Sequence, residues 1–382
     1  MSTSSLNTTD RAPRILFACG GTGGHVYPAL AIADAVKALR PDASISFAGT
    51  TDRMEWEAVP KAGYSISPIT VAGLPRSLSL KLFTFPFKLG KGFMDAWKLV
   101  KGVDADVVVG TGGFVTGPVL GAAQAMGRPT LIQEQNAFAG LTNRLLSKRA
   151  SEIHVAFPEA SKAFSGADIH LSGNPTREIL LTGDRSAGRA HYEIPESATV
   201  LLMFGGSLGS RRLNDAMIEH APTLLDANPD LHIVWQTGSY YYSEMLDEAP
   251  AHERLHVLEY LDEMQHAYAA ADVVLCRAGA ITCSELAITR SPAILVPSPN
   301  VSEDHQTHNA RSLEKAGAAI LLPEADLDAR LVRDVQALIG DAQAREEMKT
   351  ALETLARPSA ADAIARRVLA LAGVPVKSGG PA

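Results

Sequence analysis

The chain has 382 residues, 46% hydrophobic and 20% charged, with a formal net charge of −7. That length exceeds one ordinary core and predicts two domains, and the acidic balance argues against a nucleic-acid binder. No run approaches the ~18 uninterrupted apolar residues of a membrane helix. The three cysteines, Cys19, Cys276 and Cys283, lack metal-ligand spacing and read as reduced thiols of a cytosolic protein.

Residues 1–13 are polar with no apolar centre, so they read as a disordered leader and not a signal peptide. The apolar run 14–19 predicts a strand that enters the turn Gly20-Gly21-Thr22-Gly23-Gly24-His25, and residues 28–36 predict the helix that follows. Glycines let the backbone close on a ligand, and helix-start amides suit a phosphate. A phosphate cradle needs no titratable group, so His25 is a candidate general base or ligand contact; the alternative is a helix-start residue with its ring in solvent.

Residues 44–48 are a short strand. Residues 104–109 are a buried one that runs into a second glycine turn, Gly110-Thr111-Gly112-Gly113. Residues 130–134 form another strand, with Glu134 at its end as a candidate base, a partner orienting the imidazole, or a carboxylate that fixes the next loop. After Gly173 the pattern restarts: strand 199–204 enters Gly205-Gly206-Ser207-Leu208-Gly209, a helix begins near Arg211, and strands follow at 231–235, 256–258, 273–276 and 293–296. Residues 105–110 echo residues 271–276. This alternation predicts an α/β protein of two Rossmann-like domains, with parallel sheets facing a deep interdomain cleft. The domains are expected at 14–173 and 174–355, joined near Asn174 and Pro175. In the segment 356–382, a last helix over about 360–372 is expected to pack back on the first domain.

A dinucleotide fingerprint fails here: counted from Gly21 the third glycine position is Val26, and counted from Gly205 the pattern breaks at Ser207. No phosphate-binding G-x-x-x-x-G-K-[ST] loop occurs either. Ser207 at a strand-to-helix turn suits an anionic group. Glu285, near a helix start, can accept from sugar hydroxyls or simply complement the helix dipole, and Gln306 opens a further helix. At one sheet edge these residues read as a nucleotide-sugar pocket.

The stretch 74–94 has a different character. Leu78, Phe83 and Phe85 are interleaved with Lys81, Lys88 and Lys91 and with no acid, while Pro75 and Pro86 are expected to prevent one long regular helix. A basic, aromatic surface suits an anionic membrane face; the alternative is a packed helix with snorkelling lysines.

Seven motifs in order, GGTGGH (20–25), GTGGFVTGP (110–118), EQNAFAGLTNR (134–144), GNPTR (173–177), GGSLGSRRLN (205–214), CRAGAITCSE (276–285) and DHQTHNA (304–310), make the chain resemble the MurG-type transferases of glycosyltransferase family 28. That family moves N-acetylglucosamine from UDP-N-acetylglucosamine onto the lipid-linked muramoyl-pentapeptide, converting lipid I to lipid II in peptidoglycan synthesis. The resemblance implies a GT-B fold with the donor held mainly by the second domain. It implies donor contacts at Thr22, Gly23, Gly24, Asn136, Arg177, Ser207, Leu261, Ala280, Ile281, Thr282, Cys283, Ser284, Glu285 and Gln306.

Gly21, Gly112, Gly113 and Arg144 would meet the acceptor's diphosphate; Arg144 stands where the family often has Lys, and its planar guanidinium changes the geometry. The implied mechanism is a single inverting displacement with His25 or Glu134 as base and with no cofactor or metal. The implied location is the cytoplasmic face of the bacterial inner membrane, with cell-wall synthesis proteins as further partners. Rival readings are another UDP-sugar enzyme, such as a glycolipid synthase or a UDP-N-acetylglucosamine 2-epimerase, and a non-catalytic sugar-nucleotide sensor.

Overall fold

Apolar runs such as 14–19, 104–109 and 199–204, each leading into a glycine turn, become strands of two all-parallel sheets. The computed structural model describes residues 11–71 and 81–374, with backbone alone for 81–86 and 89. The chain divides into one unit of Met1–Thr176 with Ser359–Ala382 and a second of Arg177–Pro358.

In the first unit the strands are β1 (Arg14–Ala18), β2 (Ser44–Gly49), β3 (Ser65–Pro68), β4 (Val107–Gly110), β5 (Thr130–Glu134), β6 (Glu152–Val155) and β7 (Asp168–Leu171). They lie in the order β3-β2-β1-β4-β5-β6-β7. The connecting helices are α1 (Gly23–Leu39), α2 (Glu55–Lys61), α3 (Lys81–Val103), α4 (Thr116–Ala125) and α5 (Leu141–Ser147). Side chains alternate across a strand, so β1 feeds two cores. Ile15 and Phe17 pack with Val107, Val109 and, from α1, Val26, Ile32 and Val36. Leu16 and Ala18 pack with Val108, Ile132, Ala96, Val100 and Val119 on the other face. Phe17 is fully buried and stacks on Phe47 at 5.1 Å. Truncating such a side chain to Ala costs about 3–5 kcal/mol.

Two helix expectations need correction. α1 starts at Gly23, five residues ahead of Pro28, so the glycine turn supplies its first turn. The carbonyl of Thr22, a residue with extended backbone (φ −139, ψ 159), accepts from the amides of His25 at 3.0 Å and Val26 at 3.2 Å. That closure outweighs the low helix propensity of two glycines. Likewise α3 runs unbroken from Lys81 to Val103 with Pro86 inside it. A proline six residues in removes one backbone bond, and the burial of Ala96 and Val100 further along anchors the helix. Pro75 and Leu78 lie outside the described residues.

The second unit opens with α6 (Arg185–His191) and continues β8 (Thr199–Phe204), α7 (Arg211–Ala227), β9 (Leu231–Gln236), α8 (Tyr242–Glu248), β10 (Leu255–Leu258), α9 (Met264–Ala270), β11 (Val273–Cys276), α10 (Ala280–Thr289), β12 (Ala293–Leu295), α11 (His305–Lys315), β13 (Ile320–Leu321), α12 (Leu327–Gly340) and α13 (Ala342–Leu355). Its sheet order is β10-β9-β8-β11-β12-β13, all parallel. β11 lies beside β8 as β4 lies beside β1, so the echo between residues 105–110 and 271–276 marks equivalent strands. The three cysteines are buried and free, and burial pushes the Cys283 thiol up to about 12.

The chain then returns to the first unit. α14 (Ala360–Leu371) buries Ile364, Ala365, Val368 and Leu369 in the core that holds Ala29, Ile32, Ala33 and Val36 of α1. Arg367 on its flank reaches Glu152 of β6, with Nε donating to Oε2 at 3.0 Å and Nη2 to Oε1 at 2.5 Å.

Candidate active site

In a parallel sheet the loops after the strand C-termini share one edge, and three such loops in the first unit follow the adjacent strands β1, β4 and β5. The first two glycine turns pack on each other. Gly113 (φ 83) lies so close to the backbone of Gly20 that a side chain there would collide with its carbonyl. Gly112 (φ 115) lies against the His25 ring: a β-carbon at 112 would sit 2.6 Å from Nδ1. Thr111 donates its hydroxyl to the His25 carbonyl at 2.7 Å, and Nδ1 of the half-buried ring lies 3.1 Å from Oε1 of Gln135. Gly21, Thr22, Gly23, Gly24, His25, Gly112 and Gly113 therefore form one continuous wall.

Glu134 bonds to the loop that follows its strand. It is 2% exposed, and its Oε1 accepts from the Asn136 amide at 3.0 Å while its Oε2 accepts from the Gly140 amide at 3.2 Å and from Asn143 Nδ2 at 2.8 Å. It fixes the loop between β5 and α5, the option in which a strand-end carboxylate orders its neighbours. Asn136 lies in that loop, and Arg144 on α5 carries its guanidinium 5.4 Å above the Phe138 ring.

Sequence reading missed Gln135 and Glu55. Glu55 is fully buried and accepts from the Gly21 amide at 3.0 Å, the Thr50 amide at 3.1 Å and the Thr50 hydroxyl at 2.8 Å, tying the first glycine turn to the end of β2. Glu55 is one of three acids in the stretch 50–57, and nothing local tied it to Gly21.

In the second unit, Ser207 follows β8, Leu261 follows β10, the segment 280–285 follows β11, and Gln306 lies beyond β12, so all four share the carboxyl edge of one sheet. Ser207 is exposed in a turn braced by Gln236, whose Nε2 donates to the Gly206 carbonyl at 3.1 Å. Ser210 caps α7, and its hydroxyl accepts from Arg277 at 2.7 Å. Arg277 also pairs with Glu324 at 2.5 Å. Leu261 is buried. Ala280, Ile281, Thr282, Cys283 and Ser284 make the first turn and a half of α10, on which Gly279 is the extended N-cap residue.

Glu285 is 7% exposed and pairs with Arg177 at 3.3 Å, and the buried Tyr268 hydroxyl donates to it at 3.2 Å. Burial pushes its carboxyl up from 4.5, against the opposing pull of the Arg177 charge and the Tyr268 hydrogen bond. Gln306 accepts from the Ser298 amide through Oε1 at 2.8 Å, which orders the loop before α11.

The profile of the glycosyltransferase family 28 N-terminal domain matches residues 15–155, and that of the C-terminal domain matches residues 200–364. The chain belongs to glycosyltransferase family 28. A family 28 relative from Salinibacter ruber, named UDP-N-acetylglucosamine--N-acetylmuramyl-(pentapeptide) pyrophosphoryl-undecaprenol N-acetylglucosamine transferase, is 56% identical over 95% of this chain and 98% of its own length. A transferase of the same name from Chlorobium luteolum is 42% identical over 94% of this chain and 99% of its own. Among solved structures, Acinetobacter baumannii MurG superposes with a TM-score of 0.77 at 30% identity, covering 94% of this chain and 99% of that one. The two parallel-sheet units are thus the GT-B architecture of family 28.

Proposed function

We infer that this family 28 chain transfers N-acetylglucosamine from UDP-N-acetylglucosamine to the 4-hydroxyl of the muramoyl residue of lipid I, giving lipid II. The near-full-length identity to the Salinibacter transferase supports the substrates. The observation that carries the chemistry is an imidazole, His25, held against the second glycine turn at the start of a helix.

A sugar hydroxyl is a weak nucleophile, so a base removes its proton as oxygen attacks the anomeric carbon. His25 takes that role, and Glu134 keeps the neighbouring loop in register. UDP leaves with growing negative charge, which Arg177, the Ser207 turn and the N-terminus of α10 stabilise without reorganising. One displacement inverts the α-linked donor to a β-linked product. Glu285 and Gln306 hold sugar hydroxyls, Leu261 meets the uracil through its backbone, and Asn136 with Thr22, Gly23 and Gly24 completes the donor contacts. Gly21, Gly112, Gly113 and Arg144 receive the acceptor's diphosphate.

The lipid acceptor calls for a membrane surface. Among the described residues no helix is long and apolar enough to cross a membrane. On α3, Phe87 (81% exposed), Phe93, Met94 and Trp97 are exposed together with Lys88, Lys91, Lys98 and Lys101, and Asp95 is the sole acid from 87 to 103. This face supports peripheral docking on the cytoplasmic leaflet of the plasma membrane, with cell-wall synthesis proteins as partners.

The deciding experiment is transfer of radiolabelled N-acetylglucosamine from the UDP donor to a short-chain lipid I analogue, with chelator present. A labelled disaccharide is expected, with turnover reduced ~10²–10⁴-fold in His25→Ala while donor binding persists. Release of a free 2-epimer, or donor binding with no product, would overturn the assignment.

A further inference from the structure

We propose that Gln135 is a positioning residue that locks the His25 imidazole in its Nδ1–H tautomer, so that Nε2 carries the lone pair which accepts the sugar proton. The proposal rests on the reading of His25 as base, and it adds how that base is held ready.

A neutral imidazole has one N–H, and the hydrogen bond at one nitrogen decides which nitrogen carries it. Free histidine in water favours Nε2–H, the form whose basic nitrogen would here face the protein. An amide side chain looks nearly the same either way round, so its orientation must come from its partners. For Gln135 the partners leave one solution. Its Nε2 lies 2.6 Å from the carbonyl of Thr111 and 3.1 Å from the carbonyl of Gln133, and neither oxygen can donate. The –NH₂ group must face them. Oε1 then faces His25 Nδ1 at 3.1 Å as a pure acceptor, so Nδ1 must be the donor.

The amide is also braced from behind. Gln135 Nε2 is in short contact with Gln133 Oε1, and Gln133 Nε2 donates to Asn174 Oδ1 at 2.9 Å. Asn174 Nδ2 donates to the Gln135 carbonyl at 3.1 Å. Gln133, Gln135 and Asn174 are each 1% exposed or less, so none can exchange these partners for water without opening the fold. Turning Gln135 over would set its oxygen against three other oxygens. The tautomer of His25 is thus dictated by backbone carbonyls at the end of β4 and on β5. An amide is suited to the task because it orders the ring without adding an anion beside it.

The test is ¹⁵N NMR of the full chain labelled at histidine, with the His25 ring assigned by its disappearance in His25→Ala. Wild type is expected to show a protonated, pyrrole-type Nδ1 and a pyridine-type Nε2. Gln135→Met, similar in shape but with only a weak thioether acceptor, is expected to shift the ring toward Nε2–H and to lower kcat by ~10²-fold or more, as wrong-tautomer enzymes do, with the KM for UDP-N-acetylglucosamine nearly unchanged. A wild-type ring protonated at Nε2, or a Gln135→Met ring still protonated at Nδ1, would overturn the proposal. Should the variant not fold, the wild-type spectrum decides alone. An Nδ1–H ring in a protein that transfers no sugar would leave the tautomer lock standing and remove the function assigned above.

Discussion

Gly112 touches the imidazole of His25 so closely that a β-carbon at 112 would sit 2.6 Å from Nδ1. Its φ of 115 is also one that side chains rarely adopt. Gly112→Ala should therefore displace the ring from Gln135. A displacement near 1 Å costs ~10²-fold in rate, and the backbone strain costs about 1–3 kcal/mol of stability. Steady-state kinetics beside a urea melt separates the two effects. Wild-type turnover in a folded Gly112→Ala protein would mean the ring position is immaterial.

Glu285 is a carboxylate that burial disfavours and Arg177 sustains. Its folded pKa stands above the ordinary 4.5, so the folded state binds this proton more readily than the unfolded chain does. The cost of the buried charge is therefore present above the raised pKa and relieved as pH falls through it. Glu285→Gln should match or exceed wild-type stability at pH 7 and flatten that pH dependence. It should also weaken UDP-N-acetylglucosamine binding by ~10-fold or more, because hydrogen bonds to charged groups are worth about 1.5–3 kcal/mol. Melting curves from pH 4.5 to 8 and donor titration by calorimetry check both halves.

Glu152 behaves in the opposite way. Burial would push its carboxyl up, but hydrogen bonds from His154 and Arg367 outweigh that and hold it at about 2. A depressed pKa contributes stability that is complete above the ordinary 4.5 and is lost as pH falls toward 2. Arg367→Met should cost about 2 kcal/mol at pH 7, steepest in the docking of α14. Hydrogen exchange is expected to rise in α14 and in α1 together. Unchanged protection in both helices would show that the pair is not what seats α14.

The exposed aromatic and basic face of α3 predicts binding to anionic vesicles. Replacing Phe87 with Ser and both Lys88 and Lys98 with Glu removes an exposed ring and two cations, each cation worth about 1 kcal/mol near an anionic surface. Affinity for phosphatidylglycerol vesicles should fall by ~30-fold or more, with transfer to a water-soluble acceptor analogue retained. Equal binding of the triple variant would assign this face to something other than lipid.

Nine strands, among them β1, β4 and β8, were legible because each is a short apolar run that ends at a glycine turn or a polar loop, a signal carried within a few residues; β3, β6, β7 and β13 were not, because they are very short or interleaved with polar residues such as Ser65, Ser67, Glu152 and His154. The glycine turns were legible for the same reason, as runs of glycine at strand ends. What escaped depends on chain segments that meet only after folding. Gln135 acquires its role from Thr111, 24 residues earlier, because β4 and β5 are neighbours. Glu55 serves a turn 34 residues away. The start of α1 was misplaced because glycine counts against a helix locally, whereas the Thr22 carbonyl and the buried Val26 decide it. Pro86 misled in the same way: its cost falls on one backbone bond, and burial further along α3 outweighs it.

The placement of α14 makes the second unit an insertion within the first. The first unit's core is therefore incomplete until α14 has been made: Ala29, Ile32, Ala33 and Val36 of α1 await Ile364, Val368 and Leu369. A nascent chain halted at Pro358 would carry a finished second unit and an open, sticky first one. During synthesis the first unit, though begun first, closes only after the second has been made, so a fragment that ends before Ala360 leaves the α1 face of its core open.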